Sequence, residues 1–567
     1  MTISNGHTVE LNQQNVLINN LEVDYSALLL VNSTSNPNNL NVHGDVTCNG
    51  TIGNGSTPDM LVLSVEGSNT LISGDGECRI YSITKSSGAA VSTLTIAMDL
   101  ELYASTGSSI YNSRNNTLLE IVINSGVNVT SHTMIDMNNG NSEKRCSLLI
   151  RSDETGYGSL ITPSIDDSDA NNTVIERFID EDRWHYICPP VDDPYATTFL
   201  NIYLISWEEP SGTWSYVVDP NMVLEPDMEG FGVWTSSSLL GPTTLEFKGS
   251  MNAGSRNIDL TNTTSATHGH KGYNFVGNPS TSAIDWDYTG ANGWTKTHVD
   301  NAIYLWNAET SSYSAYVDGV GQNGGSNIIP AHTGFFVHCN QETGVLGVDH
   351  GAQVHDAMAQ YKAGKVNEND VLSLTVTGAG GSDETILRFK DTATEMYDGQ
   401  MDALKMFGSA QVPQLYSITA ADENLAINSM EGWEHVRVVK LGFSADNGGL
   451  YTLAWDGFDT YGNAFVMMLE DLVTGEKMNM QEGDVYSFVH DPSNFSHRFN
   501  IRFLEPKSQV GSVTVLAKAT GGEKSVNVEL EESMPASISI FNLLGQRLVF
   551  DQTSLQYSTY RLDEPGY

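Results

Sequence analysis

Short apolar segments alternate with asparagine- and glycine-rich corners through residues 1–150. Three such segments recur in about 20 residues, a rhythm that predicts a right-handed parallel β-helix. One coil cannot bury its inward face alone, so stacked coils build one continuous core. Antiparallel hairpins are the alternative, but Asn-Gly turns are too sparse to form the whole region. The pattern is carried by segments such as Val16–Ile18, Leu21–Val23, Leu40–Val42, Leu61–Leu63 and Leu94–Ile96.

Two strand-rich regions are expected after the β-helix. A polar stretch over 151–171 predicts the boundary. Aromatic segments at strand spacing over 172–350 then predict a β-sandwich module. A further series of alternating segments over 351–506 predicts a second sandwich of the jelly-roll type.

The final region, 511–567, predicts a small immunoglobulin-like sandwich of antiparallel strands. A turn over 542–545 joins two of these strands. The sequence as a whole therefore predicts an all-β protein: a β-helix, tandem antiparallel sandwiches and a small C-terminal domain. The apolar side chains expected to face inward in that domain are Ile538, Ile540, Leu548 and Phe550.

The amino-acid composition argues against some classes of binding partner. The chain carries 27 Lys and Arg against 69 Asp and Glu, a net charge of −42. Such a surface repels nucleic acids and anionic membranes, because acidic side chains far outnumber the cations that could contact phosphates. The sequence contains no apolar run of the length that a membrane helix needs, so no membrane span is expected.

The five cysteines are widely scattered and contain no Cys-x-x-Cys pair. This spacing excludes a zinc ribbon and argues against a dense disulfide framework. We expect the cysteines to be buried free thiols. They are Cys48, Cys78, Cys146, Cys188 and Cys339.

The 172–350 region contains four motifs in order: Arg183-Trp-His185, Tyr273-Asn-Phe-Val-Gly-Asn-Pro279, Ala283-Ile-Asp-Trp286 and Ile329-Pro-Ala-His-Thr-Gly-Phe-Phe-Val337. This ordered set resembles a module that recurs in surface proteins of Bacteroidetes. Cys188-Pro189 stands where that pattern has Ser-Pro, and Ser280 stands where it has an aromatic residue. These departures concern packing rather than the pattern. The 351–506 region resembles the sandwich that precedes the sorting domain in the same proteins.

The last region resembles the C-terminal sorting domain that type IX secretion systems read on their cargo. The resemblance implies export to the cell surface or the medium and one further apolar strand after Tyr567. A sandwich that ends there has an open edge, to which the secretion machinery or a neighbouring copy could add a strand. The positions that match the sorting signal are Ile540, Asn542, Gly545, Leu548 and Gly566.

Two sets of residues are candidates for metal binding. His268 and His270, two residues apart, would share one face of a strand, but no third zinc ligand is fixed by spacing. Asp166, Asp167 and Asp169 offer the hard oxygen ligands that calcium prefers, although a solvated acidic linker explains them as well. Calcium is therefore the one cofactor left open.

Carbohydrate chemistry is the remaining possibility. Acidic residues of the second sandwich could form a pair for glycoside hydrolysis, but Arg388 and Lys405 favour structural ion pairs instead. A uronate lyase site in the first coils is improbable, since Arg79 is the first basic residue. Tryptophans crowd the 180–310 region, where core packing is the favoured interpretation and a sugar-stacking face is the alternative. The acidic candidates are Asp383, Glu384, Asp398 and Asp402, and the tryptophans best placed to be exposed for sugar stacking are Trp207, Trp214 and Trp294.

No convergent set of catalytic residues emerges from these patterns. We therefore predict a non-enzymatic protein of the cell surface or the exterior, exported by the type IX pathway. It would act as an adhesin or as a structural subunit of a surface assembly. The alternative is a carbohydrate-binding or carbohydrate-active protein, with glycans as partners.

Overall fold

The structure is a computed structural model of the 567-residue chain. In the part that it describes, β-strands predominate and no α-helix occurs; two short 3-10 helices span Ala196–Phe199 and His350–Ala352. The all-β prediction is confirmed. The description covers every residue except 32–36, 54–59, 106, 139–143, 168–172, 226, 357–370, 433–437, 458–464, 482, 505–517, 523–524, 530–535, 542–546, 554–556 and 562–567.

The N-terminal region is a parallel β-helix, as the sequence predicted. Its strands are Thr2–Ile3 (β1), Thr8–Leu11 (β2), Val16–Ile18 (β3), Leu21–Val23 (β4), Leu28–Val31 (β5), Asn38–Val42 (β6), Val46–Cys48 (β7), Thr51–Ile52 (β8), Leu61–Val65 (β9), Asn69–Ser73 (β10), Glu77–Ile80 (β11), Ser82–Lys85 (β12), Val91–Ile96 (β13), Leu100–Leu102 (β14), Ile110–Asn112 (β15), Thr117–Ile123 (β16), Asn128–Ser131 (β17), Ile135–Asp136 (β18), Lys144–Ile150 (β19), Ser152–Asp153 (β20), Gly156–Tyr157 (β21), Ser159–Ile161 (β22) and Ile165–Asp166 (β23).

Each coil contributes one strand to each of three sheets, in which successive coils pair in parallel. Strands β20 and β21 lie outside these sheets and form a separate antiparallel pair. Leu94, Ile121 and Leu148 show the register, since they pair across β13, β16 and β19 and all lie in the core. Burial of each such side chain stabilises the fold by ~1.5–3 kcal/mol. The coils continue past residue 150, where the sequence predicted their end, because short strands in the polar segment still bury Tyr157 and Leu160.

The first sandwich module follows. Its strands are Thr173–Ile179 (β24), Trp184–Ile187 (β25), Tyr203–Glu208 (β26), Thr213–Tyr216 (β27), Phe231–Trp234 (β28), Thr243–Lys248 (β29), Arg256–Thr261 (β30), Tyr273–Gly277 (β31), Ala283–Asp285 (β32), Trp294–Thr297 (β33), Val299–Asn307 (β34), Ser312–Val317 (β35), Val320–Gln322 (β36), Ile328–Ile329 (β37), Gly334–Cys339 (β38), Thr343–Val348 (β39) and Gln353–Val354 (β40).

The β-helix and the first sandwich module share a sheet. Strand β24 pairs in parallel with β19 of the last coil and antiparallel with β29. The β-helix ends where the pairing changes from parallel to antiparallel, and its sheet continues through β24 and β29 into the first module. A second tie is His355, whose ring nitrogens each lie 2.8 Å from a β-helix hydroxyl, those of Thr130 and Ser159.

The second sandwich region contains eleven strands, and hydrogen bonds join all of them into one continuous sheet. Its core merges with that of the first module, since Tyr304 and Phe336 belong to the same apolar cluster as Ile386 and Ile427. Residues 1–462 and 466–504 accordingly form one compact unit. The strands are Val371–Gly378 (β41), Gly381–Phe389 (β42), Ala403–Leu404 (β43), Gln414–Ile418 (β44), Asn424–Met430 (β45), Val438–Ser444 (β46), Gly449–Asp456 (β47), Val466–Asp471 (β48), Lys477–Asn479 (β49), Val485–His490 (β50) and His497–Leu504 (β51).

The chain from 505 to 567, with 463–465, forms a separate small unit. Its described strands pair only antiparallel, as β52–β53–β56 and as β54–β55. Leu548 and Phe550 are 40 % and 54 % exposed, so they do not face inward as the sequence predicted; Phe550 instead lies against the guanidinium of Arg547. The strands are Lys518–Gly522 (β52), Ser525–Glu529 (β53), Ala536–Phe541 (β54), Arg547–Thr553 (β55) and Tyr557–Arg561 (β56).

Candidate functional site

Asp383, the first acidic candidate for glycoside hydrolysis, forms a buried ion pair. Its Oδ2 lies 2.5 Å from Nζ of Lys405, and the two side chains are 1 % and 3 % exposed. The same oxygen accepts the Leu415 backbone N–H at 2.6 Å. Its Oδ1 accepts amide protons from Gln322 at 3.3 Å and Asn323 at 2.8 Å. Because both oxygens are engaged by the protein, this carboxylate ties the two sandwiches together rather than facing a substrate.

The carboxylates of Glu384 and Asp402 also accept hydrogen bonds from backbone N–H groups. Glu384 Oε2 accepts the Asn323 N–H at 2.7 Å, and burial raises the pKa of Glu384. Asp402 accepts the backbone N–H groups of Asp398 at 2.8 Å and Ser429 at 2.6 Å. Burial raises the pKa of Asp402 to about 7. Asp402 therefore closes the 398–402 turn onto its neighbouring strand.

Arg388 forms an ion pair with Asp318, a residue of the first module. Its side chain is 1 % exposed, and Nη2 lies 3.1 Å from Oδ2 of Asp318. The Asp318 carbonyl accepts a second bond from Nη1 at 2.9 Å, and Lys390 reaches the same carboxylate at 2.7 Å. Asp318 has a left-handed φ of 46° in the turn between β35 and β36. The sequence suggested Arg388 as an ion-pair partner but gave no signal for this distant acid.

The histidine pair lies in a turn instead of on a strand, so its two rings do not share a strand face as the sequence predicted. His268 Nε2 lies 3.2 Å from the Pro210 carbonyl, and its Nδ1 accepts the His270 backbone N–H at 3.2 Å. The His270 ring packs edge-on against Trp207 at 5.8 Å. Within the described residues, no group of three or more His, Cys, Asp or Glu could hold a metal ion.

Two of the three calcium candidates lie in the described part of the chain. Asp166 belongs to β23, and Asp169 lies outside the described residues. Asp167 is buried, and its Oδ2 accepts the Met251 backbone N–H at 2.8 Å. Burial raises the pKa of this carboxyl, which weakens it as a ligand for a cation. Asp167 thus anchors the end of the β-helix to the first module.

The three tryptophans best placed for sugar stacking are partly buried rather than exposed. Trp207 and Trp214 pack edge to face at 5.3 Å inside an aromatic cluster that includes Phe275 and Phe336. Trp294 packs against Trp286 at 4.7 Å. The indole N–H groups of Trp207 and Trp294 donate to backbone carbonyls at 2.8 and 2.7 Å. Much of each ring therefore stabilises the module core.

All five cysteines are free and buried, as predicted. Burial raises the pKa of Cys146 to about 12 and that of Cys48 to about 11. A thiol held protonated in this way is a poor nucleophile and a poor metal ligand. These cysteines act as small apolar side chains in the core.

Concave sites in the described part of the chain include two near aromatic residues, and the first is a groove beside Trp207 that we call the tryptophan groove. It has a volume of about 550 Å³, and Glu208, Glu229 and Asp259 line it. Burial and the nearby Glu208 raise the pKa of Glu229 to about 7. Glu209, in the same wall, is held ionised by the Gly272 and Thr263 N–H groups at 2.8 and 3.1 Å, and these hydrogen bonds lower its pKa.

The second concave site lies where the β-helix meets the first module, and we call it the joint cavity. Its volume is about 390 Å³, and its lining includes Arg177, Arg183, His185, Tyr186 and Trp306. Sequence analysis gave no functional role to this set. The one available signal was Arg177 itself, a charge in the inward row of β24 between Ile175 and Ile179.

The sorting-signal positions are only partly described. Ile540 is partly buried on β54, and Leu548 is exposed on β55. Asn542, Gly545 and Gly566 lie outside the described residues. No helix in the described part of the chain is long and apolar enough to cross a membrane.

Comparison with known proteins adds one finding. A family model described as a domain of unknown function (DUF8693) matches residues 233–503, just under half of the chain. The matched span begins in β28 of the first module and ends in β51 of the second sandwich. No curated protein and no solved structure matches the chain.

Proposed function

We propose that this chain is a non-enzymatic protein of the cell surface or the exterior, exported by the type IX pathway of Bacteroidetes, that acts as an adhesin or structural subunit. The proposal is supported by the buried charged residues of the unit formed by residues 1–462 and 466–504, which we call the 1–504 unit. Asp383, Asp402 and Arg388, the residues best suited to chemistry, are buried as ties between strands and modules. Such ties suit a body that holds its shape while it displays surfaces to a partner.

The small C-terminal unit supports the export part of the proposal. It is compact, separate from the 1–504 unit and built of antiparallel strands, as expected for a domain that a secretion system reads and can remove. The motif match at its β54–β55 hairpin is what points to the type IX pathway. Among its described strands, β52 and β56 are the edges of one sheet, and edge strands are suited to pairing with the machinery or with a neighbouring copy.

The test is made in cells that naturally produce the protein. Strains carry either the full gene or a gene that stops before residue 505, and intact cells are treated with an external protease. We expect the full-length protein to be cleaved from outside and the truncated protein to be protected inside. Attachment of cells to surfaces should fall when the gene is deleted. A full-length protein that stays inside the cell would refute the proposal.

A carbohydrate-active protein is the second candidate, and the tryptophan groove favours it. Glu229, with its pKa near 7, and the neighbouring Glu208 could serve as acid and base beside an aromatic wall. The experiment is a panel of glycans incubated with the wild type and with Glu229→Gln. Sugar release that disappears in the variant would establish this candidate; release by neither protein would remove it.

A further inference from the structure

Strand β30 lies at the edge of its sheet, beside the tryptophan groove. The sheet has the order β30–β39–β33, so β39 covers one side of β30 and no strand of that sheet covers the other. Three alternate residues of β30, Asn257, Asp259 and Thr261, line the groove. The uncovered side of β30 therefore faces the groove.

Thr261 shows which backbone groups of β30 point to the open side. Its N–H donates to Oδ1 of Asn274 at 2.9 Å, and its carbonyl accepts from Nδ2 of the same amide at 2.8 Å. Asn274 belongs to β31, so both backbone groups point away from β39. Along an antiparallel strand, the backbone groups of every second residue point to the same side. The N–H and carbonyl groups of Asp259 and Asn257 therefore also point to the open side.

The backbone groups of Asn257 and Asp259 are available to a partner. Within the described residues, the N–H and carbonyl groups of these two residues have no hydrogen bond on the open side. Both side chains are exposed, so the edge lies at the surface of the molecule. A row of unpaired backbone donors and acceptors is a template on which another strand can form.

The groove is acidic. Glu208, Glu229 and Asp259 line it, and among the described residues their carboxylates have no hydrogen-bond or ion-pair partner. Its described lining contains no Lys or Arg, and Arg256, which precedes the lining segment of β30, is held in ion pairs with two aspartates at 2.9 and 3.0 Å. Uncompensated carboxylates in a concave site attract a cationic guest.

The two faces of β30 indicate which side chains an added strand would carry. Side chains of a strand alternate between two faces, and directly opposite side chains on neighbouring strands contact each other. One face would adjoin the exposed Asp259, where a basic residue forms a pair of opposite charges. The other would adjoin Ile258 and Leu260, which are buried, so that apolar residues extend the core. The edge therefore suits a segment in which basic and apolar residues alternate.

We propose that the tryptophan groove binds an extended segment of a partner protein in which basic and apolar residues alternate, and that this segment pairs with β30 as an additional strand. Its lysines or arginines lie beside Asp259 and bring positive charge to Glu208 and Glu229. A volume of about 550 Å³ is within the range of ligand sites. The inference names a partner class for the proposed adhesin and rests on that function for its biological meaning.

The first experiment is isothermal titration of the full-length purified protein with three probes. These are the capped peptides Lys-Val-Lys-Val-Lys-Val and Glu-Val-Glu-Val-Glu-Val, and the polyamine spermidine. We expect the basic peptide to bind and the acidic peptide to bind at least ~10-fold more weakly, because the groove repels its charges. Absence of binding by the basic peptide, or equal binding of both peptides, overturns the proposal. Spermidine binding as tightly as the basic peptide overturns strand pairing, since charge alone would then suffice.

Methylated peptides test the backbone contacts without any change to the protein. One version of the basic peptide carries N-methyl groups on its three lysines, and the other carries them on its three valines. Only one of these two sets of N–H groups can face β30, so one version should bind at least ~10-fold more weakly than the other. Equal binding of the two versions overturns pairing with a strand.

Charge variants and hydrogen exchange locate the site. Asp259→Lys should weaken binding of the basic peptide at least ~10-fold. Glu246→Lys is the matched control, because Glu246 is also exposed on a strand of the first module but does not line the groove, and it should bind like wild type. Exchange of the Asn257 and Asp259 amides should slow when the basic peptide is bound. Unchanged exchange there, or equal affinities of the two variants, overturns the site.

Other occupants of the groove give different results. Dimerisation of the protein in sedimentation experiments without peptide, lost in Asp259→Lys but not in Glu246→Lys, would assign the edge to a second copy and overturn the partner segment. Sugar release that disappears in Glu229→Gln would assign the groove to the carbohydrate-active candidate and overturn it as well.

The peptide site and the surface function fail in different ways. A protein that is cleaved on intact cells and supports attachment, but ignores the basic peptide, leaves the surface function standing and removes the peptide site. A protein that binds the basic peptide at β30 but stays inside the cell leaves the site standing and removes the surface function.

Discussion

Replacing Asp383 by Asn tests whether the acidic residues of the second sandwich stabilise the fold. The substitution keeps the shape of the side chain but leaves the Lys405 ammonium buried, 3 % exposed, without its counter-charge. Breaking a buried ion pair in this way costs ~3–5 kcal/mol. The Leu415 N–H, 2.6 Å from the same carboxylate, also loses a charged acceptor. Guanidinium unfolding followed by tryptophan fluorescence should show a loss of that size in the free energy of unfolding.

The matched control is Asp422→Asn. Asp422 lies 3.7 Å from Lys440, and the two side chains are 85 % and 43 % exposed. Its left-handed φ of 64° suits Asn as well as Asp, so the change should stay within ~0.5 kcal/mol. Combining Asp383→Leu with Lys405→Met, which removes both charges, should destabilise less than Asp383→Asn alone. If Asp383→Asn and Asp422→Asn cost the same, the structural assignment of Asp383 is wrong.

Three further outcomes are expected. The folded state keeps His332 neutral, with a pKa of about 3, whereas an unfolded histidine binds a proton below pH ~6.5. The free energy of unfolding therefore falls as the pH drops from ~6.5 towards 3, by about 2 kcal/mol at pH 5. His332→Asn should lose this part of the pH dependence in parallel unfolding series, and unchanged profiles would contradict the assignment. Gly74→Ala should lower the melting temperature, since φ is +129° and a Cβ would lie 2.0 Å from the Cys48 carbonyl oxygen; a melting temperature equal to wild type would argue against this contact. Iodoacetamide should leave Cys146 unmodified in the native protein and modify it in denaturant, as mass spectrometry would show, whereas rapid native modification would contradict its burial.

Local patterns sufficed to predict the fold class. Leu94, Ile121 and Leu148 belong to apolar segments that repeat along the chain, and repetition alone indicates that coils stack. The free state of the cysteines followed from their scattered spacing, and their burial followed from the apolar character of an unpaired thiol. Periodicity reports which face of a strand is buried, and this information is contained in neighbouring residues.

Partners distant in sequence could not be predicted. Arg388 pairs with Asp318, 70 residues away, and His355 bonds to Thr130, 225 residues away. Such contacts depend on how modules pack, which no local pattern records. The partners of Trp207 and Trp214 could not be predicted for the same reason, because strands from elsewhere in the first module cover these rings.

The central claim is that residues 1–504 form one body in which shared sheets, a shared core and buried charges join the β-helix to both sandwiches. Hydrogen exchange of the full-length protein, followed by mass spectrometry in increasing guanidinium, tests it most directly. We expect peptides from β16, β34 and β41 to reach one common opening free energy with the same dependence on denaturant. Peptides from β16 that open ~2 kcal/mol or more below those from β34 and β41 would show a β-helix that unfolds on its own, and would contradict the claim.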